Sequence, residues 1–140
     1  MSTRLLQRVS GFALLVCLAL VLSACGKDET TATITAADLA GRIGNGTAPA
    51  IFDVRTPEEY EAGHIPGAIN IPHDQLSDRI GEFSPYQDME VVVYCRSGKR
   101  AGIAETALAA AGFRNVKDLE GHMQQWEADG YPTDQVSDSN

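Results

Sequence analysis

The sequence predicts an α/β domain, a parallel sheet of four or five strands with helices on both faces. Three observations carry that expectation. Short apolar runs alternate with helical patterns along most of the chain, the order that lays helices over a parallel sheet. The most hydrophobic run, MEVVVYC (89–95), has no polar alternation and so reads as a central strand buried on both faces. No internal repeat is visible, and 140 residues suit one domain.

The elements follow in order. TAADLAGRIGNG offers Thr35 as N-cap with Asp38 three residues on, and it closes on glycine, the punctuation of a helix. AIFDVR is a short buried strand. TPEEYEAG has Thr56 as N-cap, Pro57 at the first helical position and Glu59 reaching back, with Gly63 as its stop. AINIP is a further strand, and Asp74 to Phe83 reads as a helix. Beyond the central strand, AGIAETALAAAGF has high helix propensity and stops at Gly112. NVKDLEG is the last strand, HMQQWEADGYP the last helix, and residues 134–140 a flexible tail.

The first 24 residues stand apart from this pattern. A head with two arginines and no acid precedes GFALLVCLALVL, an apolar run short for a membrane span. The order is that of a secretory signal. Its end, LSAC, resembles the lipobox of bacterial lipoproteins. That resemblance implies lipidation of Cys25 as the new N-terminus, a tether over 25–33 and a folded domain over 34–133. Several acyl chains anchor stably where one does not. The implied location is the cell envelope. With Gly26 rather than aspartate after Cys25, it is the periplasmic face of the outer membrane if the host is Gram-negative.

Removing the leader takes Arg4 and Arg8 and leaves 116 residues, with nine basic side chains against nineteen acidic ones, a net charge of −10. Such a surface repels nucleic acid, so no nucleic-acid partner is expected. Of three cysteines, Cys17 leaves with the leader and Cys25 is spent on lipid, so Cys95 is the one free thiol. A lone thiol in an oxidising compartment is a liability unless chemistry needs it. His64, His73 and His122 show no ligand spacing, and neither a metal nor a cofactor is expected.

Cys95 sits at the carboxyl end of the central strand, where parallel α/β sheets bind ligands. CRSGKR (95–100) follows and enters a helix. Consecutive amides in such a loop can curl into an anion cradle, and Gly98 permits the positive φ of that curl. The helix points its positive end at the sulfur. Arg96, Lys99 and Arg100 add charge, and Arg55 brings a fourth cation to the pocket mouth, as a substrate ligand or as a packing and salt-bridge residue. Each of these favours thiolate, the nucleophilic form.

CRSGKR, FDVRTPEEYEAGHIPGAINIP (52–72) and DLEGHMQQWEADGYP together resemble rhodanese-like sulfurtransferases, over Ile34 to Pro132. The resemblance implies the rhodanese-like fold and Cys95 as catalytic nucleophile. It makes Arg96, Ser97, Gly98, Lys99 and Arg100 the active-site loop, and Asp53 a structural partner of Arg100. Related phosphatases and arsenate reductases carry Cys-x5-Arg; this chain has Cys-x4-Arg, a cradle sized for one sulfane sulfur. The implied partners are a small anionic sulfur donor such as thiosulfate and a cyanide or thiol acceptor. A non-enzymatic persulfide carrier or membrane-tethered interaction module is the alternative. One departure stands out: many relatives have two glycines before the last helix, where this chain has Gly121 and His122.

Overall fold

The computed structural model describes residues 31–136. The expected leader, Cys25 and most of the tether lie outside the described residues, as do 137–140. Five strands form one sheet in the order β1-β5-β4-β2-β3, every pair parallel. They are β1 (Ala32–Ile34), β2 (Ala50–Asp53), β3 (Ile69–Asn70), β4 (Glu90–Tyr94) and β5 (Asn115–Leu119). The helices are α1 (Ala36–Gly44), α2 (Pro57–Ala62), α3 (Leu76–Arg79), α4 (Lys99–Ala110) and α5 (His122–Ala128).

The central strands bury both faces because alternate residues face opposite cores. Phe52, Val91 and Val93 pack with Phe83 and with Ala104 and Leu108 of α4. Ile51, Val92 and Tyr94 pack with Leu39 of α1 and with Met123 and Trp126 of α5. Burying a side chain of such size stabilises by roughly 1.5–3 kcal/mol, so both helical layers are held firmly against β4. The path β2 to β3 winds one way and β4 to β5 the other. The sheet therefore switches direction between β2 and β4, and a crevice opens at their carboxyl ends.

Three boundaries differ from expectation. β1 lies partly in the expected tether: Ala32 and Thr33 pair with Lys117 and Asp118. Only Ile34 of this edge strand is buried, so it has almost no hydrophobic signal. The helix expected over 74–83 is one turn of α-helix continuing into a 3₁₀ helix, Ile80–Tyr86. Pro85 there lacks an amide donor and disfavours α geometry in the residue before it. The start of the expected tail is also tied down: His64 and Asp134 exchange two backbone hydrogen bonds of 2.9 Å.

Candidate active site

The site begins where β4 ends. Cys95 continues the buried strand and is 1% exposed. The chain then turns through Arg96, Ser97 and Gly98 into α4, whose N-cap is Gly98 at φ +113°. The turn brings the Gly98 amide back onto Cys95 Sγ, donating at 3.0 Å. A Cβ at residue 98 would lie 2.8 Å from His122 Nε2. Glycine is thus required there by conformation and by space.

The first turn of α5 fixes the loop from outside. The Met123 amide donates to the Cys95 carbonyl at 3.0 Å, and the Gln124 amide to the Arg96 carbonyl at 3.2 Å. The described peptides are all trans, and C=O and N–H of a trans peptide point oppositely. Holding those two carbonyls against α5 therefore turns the Arg96 and Ser97 amides away from α5. The Gly98 amide is the donor on the sulfur, while Arg96, Ser97 and Lys99 are exposed at the surface.

Arg100, in the first turn of α4, meets Glu59 of α2 through Nη1–Oε2 at 2.6 Å and Nη2–Oε1 at 2.9 Å. Glu59 also closes the capping box of α2, accepting the Thr56 amide at 3.1 Å while its own amide donates to Thr56 Oγ1. The Arg100 hydrogen bond, aided by that cap, holds the Glu59 carboxyl at about 2. The Arg100 pKa is raised, first by Glu59 and further by the Cys95 sulfur within its reach. One cation is thereby posted beside the thiol.

Behind the loop, Asp53, Arg55 and Tyr94 form a buried network. Arg55 Nη2 donates to Asp53 Oδ2 at 2.6 Å and to the Gly63 carbonyl at 2.7 Å. The Tyr94 hydroxyl donates to Asp53 Oδ2 at 2.6 Å and accepts the Ile65 amide at 3.1 Å. Burial, then the Asp53 charge, raises the Tyr94 pKa and keeps this hydroxyl a donor.

Residues 35–129 match the family described as Rhodanese-like domain. The chain belongs to that family. It is 43% identical over 104 residues to an HTH-type transcriptional regulator of Mycobacterium tuberculosis, covering 73% of this chain and 44% of that protein. The chain thus spans less than half of the regulator's length. It is 38% identical over 97 residues to thiosulfate sulfurtransferase 16, chloroplastic, of Arabidopsis thaliana, covering 59% of this chain and 77% of that one. The crystal structure of a rhodanese-related protein from Thermoplasma volcanium matches with a TM-score of 0.64 and 35% identity, over 74% of this chain and 97% of that one.

Within this rhodanese-like domain Cys95, Arg96, Ser97 and Gly98 form the loop, and Lys99 and Arg100 open α4. Two expectations need correction. Asp53 does not pair with Arg100; it pairs with Arg55, two residues on, while Arg100 takes Glu59. Arg55 is not at the pocket mouth, and of its two expected roles it takes the salt bridge. It is 4% exposed and spent on Asp53 and Gly63, because a buried guanidinium must satisfy its donors locally. Arg100 remains the cation placed beside Cys95.

Sequence reading missed Glu59 as the partner of Arg100, since its capping pattern already accounted for the carboxylate. It also missed the contact of His122 with Cys95 and Gly98, though the absent second glycine was a signal. Asp118 and Glu105, which meet beside His122, carried none.

Proposed function

We propose that this rhodanese-like domain is a sulfurtransferase that moves a sulfane sulfur from thiosulfate or a similar small anionic donor, through a Cys95 persulfide, to a thiol or cyanide acceptor. The observation that carries the reading is the Gly98 amide donating to Cys95 Sγ inside a loop whose carbonyls face away. The kinship with a thiosulfate sulfurtransferase supports the same chemistry.

The Cys95 thiolate attacks the outer sulfur of thiosulfate. A new S–S bond forms, the S–S bond of the donor breaks, and sulfite departs with that electron pair. The terminal persulfide sulfur is anionic and takes up the loop's amides, which act where charge develops. Attack by cyanide or a thiolate on that sulfur breaks the Cys95 S–S bond, yields thiocyanate or an acceptor persulfide, and returns the Cys95 thiolate. Two displacements on one nucleophile give double-displacement kinetics.

Intact mass after thiosulfate treatment tests this. One added sulfur on Cys95, absent in Cys95→Ser and removed by cyanide, is the expected result. A persulfide that forms but passes to neither cyanide nor small thiols favours the carrier, and an unmodified Cys95 overturns both readings.

The leader residues support a further part of the reading: Cys25 carries lipid and holds the domain at the cell envelope. Labelling with a fatty-acid analogue, lost in Cys25→Ser, tests it.

A further inference from the structure

His122 is the one non-glycine residue with positive φ among the described residues, at +52°. That conformation disfavours any side chain beyond a hydrogen, yet the imidazole is 6% exposed and turned into the protein against the cysteine loop. Its Nδ1 accepts the Cys95 amide at 3.4 Å. Its Nε2 packs against Gly98, the residue whose amide holds the sulfur. The Met123 and Gln124 amides that hold the loop's carbonyls follow it directly in α5.

A neutral imidazole has one donor and one acceptor nitrogen. Since Nδ1 accepts, Nε2 carries the proton. Asp118 Oδ1 stands 3.5 Å from Nε2 and is a buried oxygen with no hydrogen-bond partner. Behind it Asp118 meets Glu105 of α4, whose Oε1 is buried and unpartnered too. Two carboxyls in contact retain one proton between them. The charged and titratable groups facing this cluster are Asp118 from β5, Glu105 from α4, Glu120 from the turn before α5, and Cys95 from the loop.

We propose that His122 is a positioning residue for sulfur transfer at Cys95, acting through the Cys95 amide and the Gly98 turn, with the Asp118–Glu105 carboxyl pair fixing its tautomer. The inference rests on the sulfurtransferase reading for its kinetic consequence. Burial lowers the His122 pKa, which keeps Nδ1 bare and able to accept at neutral pH. Protonation of Nδ1 replaces the acceptor with a second donor facing the Cys95 amide, and the loop loses this contact beside the Met123 and Gln124 bonds.

The full chain tests this with two readouts. Long-range proton–nitrogen spectra of the imidazole should show Nε2 protonated and Nδ1 bare at pH 7. Rapid-quench mass spectrometry should show thiosulfate loading of Cys95 slowed about 10- to 100-fold in His122→Gly, since small misplacements of a reacting group are costly. His122→Asn sets a carbonyl near the place of Nδ1 and tolerates positive φ, so it should return loading to within about threefold. Wild-type loading should fall at acid pH, below the ordinary imidazole range because burial lowers the His122 pKa, a limb missing from His122→Asn. A proton on Nδ1, or wild-type rate and pH profile in His122→Gly, overturns the proposal. A wild-type chain that takes up no sulfur defeats the sulfurtransferase reading instead. The imidazole spectrum and the iodoacetamide alkylation rate of Cys95 in the same variants then decide the role of His122: equal rates in wild type and His122→Gly reject it, and a change restored by asparagine upholds it.

Discussion

Glu59 and Arg100 meet in a bidentate pair that ties the cap of α2 to the first turn of α4. One carboxylate thus closes a helix start and holds the cation beside Cys95. Glu59→Gln should lower stability by about 1 kcal/mol, since the pair is only half-buried. The sign with pH is fixed by the depressed folded pKa of about 2. The contribution is present above the ordinary carboxylate range and is lost as pH falls toward about 2. Urea titrations between neutral and acid pH should show the gap between wild type and variant closing.

Asp53 is the hub of the buried network, and its removal leaves the Arg55 guanidinium uncompensated. Asp53→Ala should cost about 3–5 kcal/mol. Tyr94→Phe, which deprives Asp53 and the Ile65 amide of one partner each, should cost about 1–3 kcal/mol. Chemical denaturation of both variants checks the order; a mild Asp53→Ala would show that Arg55 finds other acceptors.

Gly98→Ala forces a methyl group against His122 at a backbone angle that only glycine adopts freely. The loop must shift, and the amide on Cys95 Sγ shifts with it. Sulfur loading should fall at least tenfold, while the melting temperature drops by only a few degrees because the strain is local.

The Glu105 carboxyl is pushed up to about 7 by burial and by Asp118. Its folded pKa lies above the ordinary carboxylate value, so its contribution is full at acid pH and disappears as pH rises through about 7. Wild-type stability should therefore decline from pH 5 toward pH 8. Glu105→Gln, which cannot ionise, should flatten that slope in denaturation followed at fixed pH.

The parallel sheet was legible because Val91, Val92 and Val93 form an apolar run that both cores require. The cysteine loop was legible because one nucleophile, one glycine and three cations lie within six residues. β1 was not, since an edge strand burying one side chain leaves no period to read. The arginine pairings were not, because charge partners are chosen in space: Arg55 reaches its own neighbour Asp53, and Arg100 reaches across 41 positions to Glu59. His122 left a trace as an unusual residue at a glycine position, but its target became visible only once α5 was docked on the loop.

Cys95 has 1% of its surface open. On the sulfurtransferase reading, such burial would sort reagents by girth before chemistry begins, favouring slim anions over broad disulfides or folded partners. A protein that collected sulfur there on the same reading would need a thin arm ending in its own thiol.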